Sequence, residues 1–225
     1  MQASVIIPAL NEAESIGQVL AAIPRQNLAE ILVVDGGSGD GTPRIAEMGG
    51  ARVIHEPRRG YGQACWAGVM EAQGEIVAFL DADGADDPRH LPMLLQPLLL
   101  GEAEMALGSR LAGGIQPGAM PWHQRLGNRL GARLIRRLYG LPLTDLSPLR
   151  AVLRRELLAL DMQEMTYGWP TEMIVKAARA GWRVCELPVT YRPRLGGKSK
   201  ISGTLRGTFW ATYHILRTIL RYARE

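Results

Sequence analysis

Five short apolar runs recur along the first 110 residues: SVIIPA (4–9), EILVVD (30–35), ARVIHE (51–56), EIVAFLD (75–81) and AEMALGS (103–109). They are nearly continuous rather than alternating, the habit of strands buried on both faces of a parallel sheet. Helical stretches are predicted between them. The first is predicted to start at Asn11, with Glu14 three positions on in a capping-box pattern, and the next opens on Thr42-Pro43. Strands joined by crossover helices imply an α/β fold, a doubly wound, mostly parallel sheet with helices on both faces. In such sheets ligands bind outside the carboxyl ends of the strands.

After residue 120 the pattern changes. An Arg-rich helix is predicted near 122–139, then the segment TDLSPLRAVLRREL (144–157) and a helix after Trp169-Pro170. A strand RVCELPVTYRP (183–193), a Gly/Lys loop and a last helix at about 203–223 complete the chain. With no repeat, low-complexity tract or linker, the expectation is one domain over 1–225, its C-terminal part a helical elaboration on residues 1–120.

Three polar clusters start where predicted strands end: PALNE (8–12), VVDGGSGDGT (33–42) and LDADGADDP (80–88). They converge on one sheet edge. Asp81 and Asp83 offer two hard oxygen ligands of the kind that hold Mg²⁺ or Mn²⁺ together with substrate phosphates. A cation there would relieve the repulsion of crowded carboxylates. Asp86 and Asp87, ahead of Pro88, read more simply as acids that start the next helix. The glycine cluster after Asp35 permits tight turns and close approach of a ligand, but contains neither a dinucleotide fingerprint nor a P-loop.

Composition narrows the picture further. At 47% hydrophobic and 21% charged, the chain is neither disordered nor fibrous. No apolar run is long enough to span a bilayer and no leader is visible, so the expected place is the cytoplasm. Cys65 and Cys185 form no C-x-x-C and read as reduced thiols. The net charge of +4 hides a division: residues 1–120 carry −8 and residues 121–225 carry +12. That asymmetry suits an anionic membrane surface or a phosphorylated substrate; nucleic acid is ranked last, because stacking aromatics interleaved with the basic residues are sparse and no nucleic-acid motif appears.

The stretches VIIPALNEAESI, ILVVDGGSGDGT, GYGQACWAGVMEAQGEIVAFLDAD and ALGSR, in that order and context, resemble the family 2 glycosyltransferases of GT-A fold. The segments LTDLSPLRAVLRREL and YGWPTEMIVKAARAGWRVCELPVTYRPRLGGKSKISG extend the likeness to the dolichyl-phosphate mannose synthase and polyprenyl-phosphate branch. The resemblance implies that residues 1–120 bind a nucleoside diphosphate sugar, of GDP-mannose or UDP-glucose type, and that residues 121–225 serve the acceptor. Donor contacts would come from Pro8, Leu10, Glu12, Val34, Asp35, Asp81, Ala82 and Asp83, with Arg110, Arg194 and Lys200 reaching phosphate groups. Two positions depart from the pattern: Gly36 stands where members often carry a second aspartate, and Ala85 where some supply a further metal ligand.

The implied reaction is inverting transfer of a hexose to a polyprenyl phosphate, with the acceptor phosphate held by Ser147 and Arg150. An alcohol acceptor would need a base, for which Glu172 or Asp145 is the candidate; a phosphate monoester, with its second pKa about 6, needs none. A sugar nucleotidyltransferase and a non-catalytic sugar-nucleotide-binding module are the rival readings. In the last helix, Leu205, Phe209, Tyr213, Leu216 and Leu220 form one stripe bordered by Arg206, Trp210, Arg217, Arg221 and Arg224. It suits either a peripheral place on the inner face of a membrane or packing on the domain itself. A homodimer is left open.

Overall fold

The computed structural model describes residues 1–196 and 205–223, with residues 205–212 as helix backbone only. Eight strands form one sheet: β1 (Ala3–Ala9), β2 (Leu28–Asp35), β3 (Arg52–His55), β4 (Ile76–Phe79), β5 (Met105–Ser109), β6 (Gly114–Ile115), β7 (Arg150–Leu153) and β8 (Val184–Tyr191). Their order is β3-β2-β1-β4-β7-β5-β8-β6. All five predicted N-terminal strands are present, and the sheet is mostly parallel with helices on both faces, the GT-A arrangement.

Side chains alternate across the central strands. Val5, Ile7, Ile31 and Val33 pack with Ile16, Val19 and Leu20 of α1 (Ile16–Ala22), Ala46 of α2 (Thr42–Met48) and the leucines of α4 (Leu91–Leu99). Ile6, Leu32, Val34 and Phe79 face α3 (Tyr61–Glu71) and α8 (Trp169–Arg179) on the other side. α6 (Trp122–Tyr139) and α9 (Leu205–Arg221) extend that second layer, while α5 (Arg110–Gly113) and α7 (Arg154–Ala159) are short connectors. Fully burying such aliphatic side chains contributes about 1.5–3 kcal/mol each, which is why the continuous apolar runs become central strands.

Strand β7 is the departure from the sequence pattern. Residues 150–153 lie antiparallel between β4 and β5, with Arg150 opposite both Phe79 and Leu107. The chain therefore enters β7 at the edge where its neighbours end, bringing Asp145 and Ser147 to the same rim as Asp81.

The first helix also begins later than predicted. α1 follows Ser15, and Asn11 instead sits at φ 51 with its side chain accepting from Gly39 N–H at 2.9 Å and its own N–H donating to Ser38 Oγ at 2.8 Å. Asn11 thus ties the β1 loop to the β2 loop. α2 is capped by Gly41, which leaves the Thr42 hydroxyl to accept from Glu12 N–H at 2.9 Å. In α9 the described part of the apolar stripe does not pack inward: Tyr213, Leu216 and Leu220 are exposed, whereas Ile219 and Tyr222, at the helix end, are buried. Leu205, Arg206, Phe209, Trp210 and Arg224 lie outside the residues whose side chains are described.

Candidate active site

A cavity of about 580 Å³ opens at the carboxyl ends of β1, β2 and β4. One wall is Pro8–Glu12 with Gly36 and Gly37, the floor is Asp81–Asp83, and the opposite wall is Arg58–Tyr61 with Tyr167. Of the expected donor residues, Pro8, Leu10, Glu12, Asp81, Ala82, Asp83 and Arg194 line it. Val34 and Asp35 are buried beneath it instead. The Asp35 carboxylate accepts from Gly37 N–H at 3.0 Å and Ser38 N–H at 3.1 Å, so it shapes the glycine turn. Lys200 lies outside the described residues.

The two aspartates of the floor are held differently. Asp81 accepts from the Tyr61 hydroxyl at 3.0 Å through Oδ1, leaving Oδ2 without a partner among the described residues. Asp83 accepts from Ala85 N–H at 2.9 Å through Oδ1, and its Oδ2 takes Arg194 Nη1 at 2.6 Å. Burial pushes both carboxyls above their ordinary range; Asp83 adds to the rise at Asp81, and Arg194 opposes the rise at Asp83. Two crowded acids, short of compensating charge and facing a cavity, form a donor set that fits a hard divalent cation whose remaining ligands are phosphate oxygens and water. Among the described residues no cluster of three or more His, Cys, Asp or Glu suited to a metal exists, in keeping with Ala85 at the neighbouring position.

A strap after β8 crosses this floor. Arg192 N–H donates to Ala85 O at 2.9 Å and Leu195 N–H to Asp83 O at 3.0 Å, which carries Arg194 over the cavity. Its guanidinium bridges Asp83 and Glu12, the latter at 2.9 Å. Gly84 makes this approach possible: it has φ +71, and a Cβ there would stand 2.4 Å from Leu195 Cδ1. The result is a cation poised at the mouth of an acidic floor, suited to a diphosphate.

Asp86 and Asp87 separate. Asp87 accepts from Arg89 N–H at 3.1 Å and caps the short turn Pro88–His90, as expected. Asp86 does not start the next helix as expected: it is buried, neither of its oxygens has a hydrogen-bond partner among the described residues, and burial pushes it well up despite the nearby Arg110. It caps nothing.

Several other expected residues do not reach the cavity. Arg110 is buried, its Nε and Nη2 gripping the Asp145 carboxylate at 2.8 and 2.9 Å, and each group stabilises the other's charge against burial. Ser147 is buried with its hydroxyl accepting from Leu149 N–H at 3.3 Å. Arg150 spends its donors on the carbonyls of Ser147, Pro148 and Pro170, and burial pulls its guanidinium down to about 10. Glu172 is wholly buried, accepting from Gln163 and Glu164 N–H at 2.9 and 2.7 Å. Lys176 Nζ, 3.1 Å away, and the Tyr222 hydroxyl complete its shell. These partners hold it as a carboxylate below its ordinary range. Arg58, Arg59, Tyr61 and Tyr167 are cavity residues that sequence reasoning missed. The GYG run that closes α3 onto the site was the available signal for Tyr61 alone.

Comparison with known proteins agrees with this geometry. Residues 4–160 match the family model described as glycosyl transferase family 2. An uncharacterized glycosyltransferase of Mycobacterium tuberculosis (strain ATCC 25618 / H37Rv) is 44% identical over 217 residues, covering 96% of this chain and 97% of its own. The undecaprenyl-phosphate mannosyltransferase of Micrococcus luteus is 33% identical over 224 residues, covering 92% and 90%. Among solved structures, glucosyl-3-phosphoglycerate synthase from M. tuberculosis, in complex with Mn²⁺, UDP and glucosyl-3-phosphoglycerate, superposes with TM-score 0.80 at 26% identity over 99% of this chain and 80% of that one. A match over most of the chain, on the segments that build the cavity, shows that this protein belongs to glycosyl transferase family 2.

Proposed function

We propose that the chain is an inverting, metal-dependent glycosyltransferase that moves a hexose from a nucleoside diphosphate sugar to a polyprenyl phosphate. The observation that carries this reading is the Asp81–Asp83 floor, open to a cavity of about 580 Å³ and covered by Arg194. Asp81 and Asp83 would hold Mg²⁺ or Mn²⁺, which when bound supplies Lewis-acid stabilisation of the departing diphosphate. Arg194 is placed to add a second positive charge as that leaving group accumulates negative charge. The Tyr61 hydrogen bond fixes which Asp81 oxygen faces the cavity.

The lining of the cavity supports a polyprenyl phosphate as the acceptor. Neither Asp145 nor Glu172 lines it, and both carboxylates are already saturated by buried partners. An alcohol acceptor would find neither of the expected bases there, whereas a phosphate monoester is already largely ionised at neutral pH. The undecaprenyl-phosphate relative supports the same choice. Ser147 and Arg150 hold the loop that enters β7 and are not the groups proposed to grip the acceptor.

A lipid acceptor also gives a role to an exposed surface. Trp122, Leu126 and Leu130, four residues apart on α6, are exposed, as are Tyr213, Leu216 and Leu220 on α9, which packs against α6. The surrounding arginines suit peripheral binding to an anionic membrane. Among the described residues no helix is long and apolar enough to cross one.

A second reading keeps the donor chemistry and changes the acceptor. The glucosyl-3-phosphoglycerate synthase structures carry a small soluble acceptor on the same fold. Incubation with a panel of sugar nucleotides, Mn²⁺ and either a short-chain polyprenyl phosphate or phosphoglyceric acid separates the two. Hexosyl transfer to the polyprenyl phosphate is expected; transfer only to phosphoglyceric acid would replace that acceptor, and nucleotide binding without any transfer would sink the enzymatic reading.

A further inference from the structure

Glu172 sits behind the wall that Tyr167 presents to the cavity. Its carboxylate receives the backbone N–H groups of Gln163 and Glu164, so it fixes the start of the turn that runs on to Tyr167. The next carbonyl along, Met165 O, accepts from Gln63 N–H at 2.9 Å at the head of α3. Contact there is close enough that a Cβ on Gly60 would stand 2.3 Å from Met165 O, and one on Gly62 2.7 Å from Glu164 O. Gly60 and Tyr61 are cavity residues, and Tyr61 in turn holds Asp81. A continuous set of contacts therefore leads from Glu172 through the 163–167 turn to the donor wall.

The same carboxylate is tied at its back to the end of α9. Tyr222, 5% exposed, donates its hydroxyl to Glu172 Oε1. α9 touches the turn a second time, since a Cβ on Gly168 would stand 2.8 Å from Thr218 Oγ1 and 2.6 Å from Glu164 Oε2. The helix that follows the Arg194 strap thus also braces the wall opposite it.

We infer that Glu172 and Tyr222 are positioning residues for the donor: together they latch α9 to the 163–167 turn and hold Tyr167 and the Gly60–Tyr61 segment in the shape that binds the nucleoside diphosphate. This rests on the donor reading of the cavity proposed above. The assignment differs from a base, because a base acts on the reacting atoms and sets the turnover rate, whereas a latch acts on the population of the binding-competent wall. Its loss raises the donor KM and dissociation constant and leaves kcat at saturating donor nearly unchanged.

The test uses the full-length chain with Mn²⁺ and measures nucleoside diphosphate binding by calorimetry alongside donor KM and kcat. Tyr222→Phe removes one hydrogen bond to a buried carboxylate and is expected to weaken nucleotide binding about threefold to tenfold with kcat within about twofold. Glu172→Gln, which sets an amide N–H₂ against backbone donors, is expected to weaken it more than tenfold. Ile219→Val, in α9 one turn before Tyr222 and likewise buried, trims the α9 core contact without touching the carboxylate and is expected to leave the Kd unchanged. Should Glu172→Gln not fold, the comparison of Tyr222→Phe with Ile219→Val decides alone. Equal Kd values for wild type and Tyr222→Phe, equal losses in Tyr222→Phe and Ile219→Val, or a fall in kcat at unchanged Kd would each overturn the latch. Wild-type protein that binds none of the nucleotides would overturn the donor reading itself and the latch with it.

Discussion

At the scale of single residues, the chemistry is concentrated in charges that the fold leaves incompletely compensated. Asp81 is the sharpest case. Its carboxyl is buried beside Asp83, and both effects raise it, against the pull of Tyr61, Arg110 and Arg194. A carboxyl raised in the folded state above its ordinary 3.8 opposes folding when ionised; stability is full below that value and declines as pH rises through the folded value. Replacing it by Asn removes that decline while removing a proposed metal ligand. Asp81→Asn is therefore expected to raise the Tm of metal-free protein at pH 8, with the gain shrinking toward pH 4, and to lower hexosyl transfer by at least about a hundredfold. Thermal melts at the two pH values, with turnover measured in saturating Mn²⁺, check both halves; an unchanged rate would remove Asp81 from the metal site.

At the scale of elements, the same rim is held up by a buried ion pair. Arg110, at the end of β5, and Asp145, ahead of β7, join two strands that run in opposite directions. Removing one member of a buried pair leaves the other uncompensated, at a cost of about 3–5 kcal/mol. Asp145→Asn is expected to lower the Tm by about 10 °C at neutral pH. Asp145 is held below its ordinary 3.8, so its contribution is full above that value and lost as pH falls below it; the Tm gap between wild type and variant should close in acid. A gap that stays constant to low pH would mean that packing, not charge, supports the rim.

This element also shows where sequence reasoning stopped. The N-terminal strands were legible because each is apolar on both faces, and the motifs at their ends inherit a location from that fact alone. β7 was not legible: it is four residues long, begins with an arginine and runs straight into α7, so nothing local separates it from a loop. Its strand character comes from β4 and β5 on either side. The burial of Glu172 was not legible for a related reason. Its position in the WPTEM motif was visible, but the groups that saturate it come from residues 163, 164 and 222, and only folding brings them together. Arg58 and Arg59 follow the carboxyl end of the predicted strand at 51–56, a location that was legible although no motif marked it, whereas Tyr167 reaches the cavity from a loop that follows no strand.

At the scale of the whole molecule, the charge division acquires a geometry. The +12 half supplies α6 and α9, and on both helices large apolar side chains face water while small or branched ones pack inward: Gly131, Ala132 and Ile135 on α6, Thr218 and Ile219 on α9. Trp122 is 75% exposed and Leu130 51%, an arrangement that costs solvation free energy unless something apolar covers it. An anionic bilayer would satisfy both features, since each basic group near its surface contributes about 1 kcal/mol and the apolar row could enter the headgroup boundary. Sedimentation with anionic vesicles is expected to retain the protein at low salt and release it in part as salt screens the arginines. The double substitution Leu126→Ser with Leu130→Ser should weaken vesicle binding tenfold or more, while transfer to a short-chain, water-soluble polyprenyl phosphate continues at the wild-type rate. Equal binding of the double variant, or loss of transfer to the soluble acceptor, would separate this face from the membrane and return α6 to a purely structural role.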